Sequence, residues 1–348
     1  LHKNANLSIF ARAKDHGNNP VVANQLATIK SKKLFISRIE EDVMLPKNLG
    51  YHDKLFVMPF DHRGSFQSKM FGIKGRDPNE AETAEIASYK MIVYEGFRAA
   101  LAQGVPKDKA AILVDEQFGA ACAQDALKNG IKVAMPAEKS GQDEFDFEYG
   151  DKFGEHIEKF NPTFVKVLVR YNSEDDKELN QRQAARLAKL SDYCHAHNRK
   201  FMFELLVPAL PGQLEKAGGD KKKYDTQVRP GLMEKAIAEL QAAGIEADVW
   251  KLEGLESASD YKAIVAQARS NGRGNVGMIV LGRGENDEKV RHWLKEGAKV
   301  DGVIGFAVGR TIFWDALAGF REKKHSRAEA VNMVAKSYKG FVDLFTQA

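Results

Sequence analysis

Eight short apolar runs, each followed by a polar or glycine-bearing loop and in most cases by a longer amphipathic stretch, limit what this chain can fold into. They are LFVMPF (55–60), AAILV (110–114), KVAMP (132–136), TFVKVLV (163–169), KFMFELLVP (200–208), DVWKLE (248–253), VGMIVLG (276–282) and DGVIGFAVG (301–309). Runs of this length and β-branched or aromatic content read as strands. The stretches between them, such as AETAEIASYKMIVYEGFRAALAQG and GLMEKAIAELQAAG, repeat apolar residues at three and four. Several end in glycine or asparagine, which accept the left-handed turn that closes a helix. Eight strands alternating with helices predict an α/β fold closed as a (β/α)8 TIM barrel, with an open doubly wound sheet as the alternative.

The rhythm begins near Leu55. Residues 1–45 are polar and irregular, so they are expected to form an N-terminal extension to a barrel domain spanning 46–348. The longest connection, ALPGQLEKAGGDKKKYDTQVRP, follows the fifth run and carries the lysine cluster Lys221 to Lys223. It reads as a solvated loop, with a mobile lid that delivers Arg229 to a substrate anion as the sharper alternative. The 348 residues are 43% hydrophobic, enough for a full core, and their 52 basic and 48 acidic residues are well mixed. That mixture argues against a nucleic-acid or membrane partner. The two cysteines, Cys122 and Cys194, make no disulfide framework, and neither a secretion signal nor a spanning segment is apparent, which points to a cytoplasmic protein.

In such a barrel, functional groups project from the C-terminal ends of the strands. Side-chain alternation decides which residues face inward. In DVWKLEG, Trp250 and Leu252 suit the helix layer, which turns Lys251 inward together with Val249 and Glu253. In FMFELLVP, Phe201, Phe203 and Leu205 face outward, which leaves Glu204 inside. Lys166 shares a side with Phe164, Leu168 and Arg170. Lys251, Lys166 and Glu204 are therefore expected to converge on one interior volume. A lysine beside a second cation loses proton affinity and can attack a ketone as a neutral amine. The subsequent dehydration and bond cleavage need a carboxylic acid to carry protons, for which Glu204 and Asp61 are candidates.

The last two strands end in Gly-Arg pairs, Gly282–Arg283 and Gly309–Arg310. Glycine lets a backbone N–H approach a ligand, arginine offers a fork of donors, and barrels of this type bind phosphate in these loops. Arg63, in FDHRGS after the first strand, and Arg229 complete the expected substrate-binding set. A metal centre has thin support: His62 with Asp115 and Glu116 is the available grouping, since His195 and His197 are separated on a helix surface. No metal or other cofactor is expected.

The segments FDHRGS, VDEQFG, VKVLVRY, FELLVP, DVWKLEG, LGRG and GFAVGRTIF resemble the class I, Schiff-base barrel aldolases that include tagatose-1,6-bisphosphate aldolase. WKLE, LGRG and GFAVGRTIFW carry a closer likeness to the 2-deoxy-5-keto-gluconate 6-phosphate aldolase domain of myo-inositol catabolism, which in some bacteria follows a sugar kinase. The resemblance covers about residues 50 to 345 and implies a class I aldolase acting on a phosphorylated keto sugar or keto acid. Lys251 would form the Schiff base, Lys166 would depress its pKa and steady the oxyanion, Glu204 would shuttle protons and Asp61 would handle the hydroxyl proton. The Gly-Arg pairs would hold the phosphate of the dihydroxyacetone phosphate portion. No kinase segment is expected in this chain, and the long loop after strand five would reshape the sugar end of the site, which admits a variant sugar such as a sulfosugar phosphate. Association into a homo-oligomer is compatible with such a barrel. The competing expectations are a catalytically silent sugar-phosphate-binding barrel and a metal-dependent lyase or isomerase.

Overall fold

The computed structural model describes residues 45–348. Within them all eight apolar runs become parallel strands: β1 Leu55–Pro59, β2 Ala110–Leu113, β3 Lys132–Pro136, β4 Phe164–Arg170, β5 Lys200–Leu206, β6 Val249–Glu253, β7 Gly277–Leu281 and β8 Val303–Ala307. Each pairs with the next, and β8 returns to β1, so the sheet closes as a (β/α)8 TIM barrel and the doubly wound alternative is excluded. Pro46–Ala348 form one compact unit. The N-terminal extension expected over residues 1–45 lies outside the described residues, apart from Leu45.

The principal helices are α1 Gly64–Met70, α2 Glu80–Ala102, α3 Glu116–Lys128, α4 Phe153–Phe160, α5 Lys177–Ala196, α6 Pro211–Lys216, α7 Arg229–Ala242, α8 Ala258–Ala268, α9 Asp287–Ala298, α10 Arg310–Arg321 and α11 Arg327–Gln347. Many start at a residue whose side chain satisfies free N–H groups of the first turn. Asp115 accepts from Phe118 N on α3, and Asn286 accepts from Lys289 N on α9. Asn79 with Glu82 and Ser326 with Glu329 form reciprocal capping boxes on α2 and α11.

Alternation divides the barrel wall as the residues require. Leu55, Val57, Leu113, Phe164, Met202, Val249 and Ile279 belong to one buried cluster that fills the interior. Trp250 faces the other way and packs on Phe203, with ring centroids 4.9 Å apart. Above the apolar filling, the parity that buries Phe164, Met202 and Val249 places Lys166, Glu204 and Lys251 at the C-terminal mouth. Closure also needs one residue without a side chain: a Cβ at Gly305 would sit 1.9 Å from the Leu55 carbonyl oxygen, so β8 approaches β1 only as glycine.

The connection after β5 is helical rather than an open loop. It comprises α6, a short turn at Lys221–Lys223, a π-type turn at Tyr224–Val228 and the start of α7. Its buried Tyr224 donates to the Val207 carbonyl at 3.0 Å, tying the segment to the end of β5.

Candidate active site

The strand tops surround a cleft of about 400 Å³ lined, among others, by Asp61, His62, Glu138, Lys166, Glu204 and Lys251. Pairing register explains the central contact, because Glu204 on β5 lies directly beside Lys251 on β6. Lys251 Nζ is 2.7 Å from Glu204 Oε2, and Lys166 Nζ is 2.9 Å from the same oxygen. One carboxylate oxygen thus bridges the two lysines. Lys166 Nζ also meets Asp61 Oδ2 at 2.9 Å and Glu138 Oε1 at 2.8 Å. Lys166, Lys251 and Glu204, which alternation turns toward one volume, are found together, and Asp61, the other candidate proton carrier, joins them.

Burial would ordinarily neutralise these groups, and their mutual contacts oppose it. Burial disfavours the charged Lys166, but Asp61, Glu138 and Glu204 together raise its pKa well above the usual lysine value, so it is a permanent cation. Burial also works against ionised Asp61, yet Lys166 and then Lys251 hold it well below the carboxylate range. The same two lysines outweigh burial at Glu204 and keep it below its ordinary value. Glu138 goes the other way: burial raises it despite Lys166 and Arg63, and its Oε2 has no hydrogen-bond partner. Glu138 follows β3 in the segment AMPAEKS, outside the strand run, and the sequence reading missed it. Its signal was the step from an apolar strand to Glu-Lys-Ser at a strand end.

His62 packs edge to face against Phe313, with centroids 6.0 Å apart. Burial, opposed by Asp61 and reinforced by Arg310, Lys251 and Lys90, lowers its pKa to about 4. It is a neutral imidazole whose Nδ1 is buried without a partner. The grouping of His62 with Asp115 and Glu116 does not assemble: Asp115 is buried against Lys90, and Glu116 contacts His156 and Lys159. Among the described residues no cluster of three His, Cys, Asp or Glu is placed to hold a metal.

The four arginines expected to bind substrate differ in what their guanidinium groups already hold. Arg63 is 7% exposed and donates to Glu148 Oε2 and to the Glu138 carbonyl, each at 2.8 Å. Arg229 does not line the cleft. It is 1% exposed, contacts Asp225 Oδ1 at 3.1 Å and donates to the Gly254 carbonyl at 2.9 Å, so delivery by a lid is replaced by a buried anchor. Arg283 lines the cleft, but its Nη1 contacts Asp225 at 2.9 Å and its Nε contacts Glu253 Oε1 at 2.9 Å. Both carboxylates compete with any anionic ligand for that side chain. Arg310 donates to the Arg283 carbonyl at 3.1 Å and, among the described residues, is paired with no carboxylate. It opens α10, whose cap residue Gly309 supplies no side-chain acceptor. A cation that no described carboxylate pairs, at the start of a helix and beside Gly282, Gly284 and Gly309, is a setting suited to an anion.

Residues 44–348 match the family described as "Uncharacterized protein conserved in bacteria (DUF2090)". Tagatose 1,6-diphosphate aldolase 1 of Streptococcus mutans is 25% identical over 160 residues, covering 43% of this chain and 44% of that protein. The match therefore spans less than half of that relative's own length. Among solved structures, a Schiff-base-forming fructose-1,6-bisphosphate aldolase superposes with a TM-score of 0.50 at 13% identity, over 84% of this chain and 94% of its own. An archaeal fructose 1,6-bisphosphate aldolase superposes with a TM-score of 0.51 at 11% identity, over 85% and 95%. A fructose-bisphosphate aldolase from Slackia heliotrinireducens gives 0.50 at 14% identity, over 88% and 91%. At these identities the structural likeness establishes the fold.

Proposed function

We propose that this chain, which belongs to the DUF2090 family, is a class I aldolase that cleaves a phosphorylated keto sugar or keto acid to dihydroxyacetone phosphate and an aldehyde. The observation that carries the reading is Glu204 Oε2 placed 2.7 Å from Lys251 Nζ and 2.9 Å from Lys166 Nζ at the mouth of the barrel. The partial identity with a tagatose bisphosphate aldolase supports it. The segments WKLE and GFAVGRTIFW favour 2-deoxy-5-keto-gluconate 6-phosphate as substrate.

The chemistry follows from the contacts. Lys251 passes a proton to Glu204 and attacks the ketone carbon as a neutral amine. Glu204 returns that proton to the carbinolamine oxygen, which leaves as water and gives the iminium. Lys166, held cationic by three carboxylates, stabilises negative charge on the oxygen before it leaves. Asp61 receives the hydroxyl proton as the carbon–carbon bond breaks, the aldehyde departs, and the bonding electrons pass to the iminium to form an enamine. Protonation of the enamine carbon through Glu204 and hydrolysis by water release dihydroxyacetone phosphate and regenerate Lys251. Arg310 and the start of α10 hold the phosphate.

Borohydride reduction in the presence of dihydroxyacetone phosphate is expected to add covalent mass at Lys251, and Lys251→Met is expected to abolish the adduct. An unmodified wild-type chain, or an adduct that survives Lys251→Met, would overturn the assignment.

A further inference from the structure

Glu253 is 2% exposed on the same face of β6 as Lys251, yet the proposed chemistry does not use it. Its contacts explain its position. Oε1 meets Arg283 Nε at 2.9 Å, while Oε2 accepts from Val207 N at 3.1 Å and lies 3.8 Å from Arg229 Nη1. Asp225, on the π-type turn after β5, reaches the same two arginines, at 2.9 Å from Arg283 Nη1 and 3.1 Å from Arg229 Nε. Arg283 is thereby clamped from two elements.

The backbone of Arg283 is unusual as well. Its φ is 54°, followed by Gly284 at 79°, so a long, charged residue occupies the left-handed region where glycine is preferred. Such a conformation is disfavoured for a residue with a Cβ, and contacts from its surroundings can hold it in place. Two carboxylates do so here. The result is a turn whose Arg283 carbonyl accepts from Arg310 Nη2 at 3.1 Å and whose Gly284 lies flat against that guanidinium, where a Cβ would fall 2.3 Å from Nη2. The anchored arginine shapes the turn, and the turn fixes the arginine that no described carboxylate holds.

We infer that Glu253 and Asp225 are positioning residues for anion binding: by holding Arg283 they fix the turn that orients Arg310. Arg283 then acts through its backbone rather than as a phosphate donor. This rests on the proposed function only in taking dihydroxyacetone phosphate as a ligand of Arg310.

The two roles open to Arg283 predict opposite signs. Glu253→Gln and Asp225→Asn each remove one of the two carboxylate charges that hold its guanidinium, which loosens it. If Arg283 contacted phosphate directly, its release would tighten binding; if it positions Arg310, release loosens binding. Calorimetric titration of dihydroxyacetone phosphate into the full chain is expected to show Kd rising about tenfold in each variant, the equivalent of one weakened charge-assisted contact. In an Arg310→Gln background, the added Glu253→Gln is expected to change Kd by less than about twofold, because both act through one contact. Tighter or unchanged binding in the single variants overturns the inference, as does a full additional loss in the Arg310→Gln background. Should buried Glu253→Gln fail to fold, the partly exposed Asp225→Asn gives the same sign test. Borohydride trapping on the same samples separates the two ideas. Trapping with the wrong Kd pattern sinks the positioning role alone. The expected pattern without trapping sinks the aldolase reading alone, and no binding by the wild-type chain sinks both.

Discussion

Replacing Lys166 with methionine isolates what the central cation contributes. Methionine has a similar reach and carries no charge, so the main change is electrostatic. Lys166 Nζ has Asp61, Glu138 and Glu204 at 2.9, 2.8 and 2.9 Å, and its side chain is 2% exposed. Removing one partner of a buried ion pair costs about 3–5 kcal/mol, because the other charge stays buried. Here three carboxylates lose a partner, and Lys251 continues to compensate Glu204, so about 4 kcal/mol at pH 8 is expected. The pH dependence gives the sharper test. In the wild type, Asp61 and Glu204 have depressed values, and their stabilisation is present above the ordinary carboxylate pKa and lost as pH falls through the folded values. Without Lys166 the buried carboxylates rise above that ordinary pKa of about 4, and the folded state keeps protons that the unfolded chain has released. Stability of the variant then falls more steeply than that of the wild type as pH rises from about 4 toward 7, because in the wild type only Glu138 of the three carboxylates is raised. Urea unfolding at pH 5 and pH 8 measures both deficits. The reasoning fails if the variant loses less than about 1 kcal/mol at pH 8, or if the deficit is the same at both pH values.

Two other substitutions probe separate parts of the structure. His62 is held at about 4, whereas an unfolded histidine titrates near 6.5, so the unfolded chain takes up a proton as pH falls through that window and the native state does not. Stability is lost across that range, by about 3 kcal/mol in all. His62→Gln should flatten the acid slope between pH 6.5 and 4.5 in urea unfolding, and an unchanged slope would rule out this origin for it. Gly305→Ala places a methyl group 1.9 Å from the Leu55 carbonyl, in the seam where β8 meets β1. Overpacking against backbone that cannot move aside is expected to cost about 3 kcal/mol or to prevent folding; a thermal midpoint within a degree of wild type would contradict it.

The barrel and the three strand residues of its polar centre are legible in the sequence for one reason, local alternation, whereas Asp61, past the end of β1, stands out only as a polar residue of FDHRGS. Trp250 and Leu252 must reach the helix layer, so Lys251 must point in, and Phe201 with Phe203 settles Glu204 by the same rule. Glu138 and Asp225 were not legible, because each lies beyond a strand end, where no periodicity fixes its direction. Arg229 was misread for a related reason. Its segment looks like a charged loop, yet Tyr224 and Asp225 fold it into helical turns against β5 and β6. The hardest distinction was among arginines. Arg283 and Arg310 occupy matching Gly-Arg positions on neighbouring strands, and composition gives them equal claims on a phosphate. They differ only in acceptors supplied from far along the chain: Glu253 and Asp225 reach Arg283, and no carboxylate among the described residues reaches Arg310. A Gly-Arg motif therefore identifies where a cation stands, while its availability to a ligand depends on which carboxylates the fold brings beside it. Where two such motifs sit side by side, as here, we assign the turn to the paired arginine and the anion to the one that no described carboxylate reaches, a division of labour that a count of basic residues in the cleft would miss.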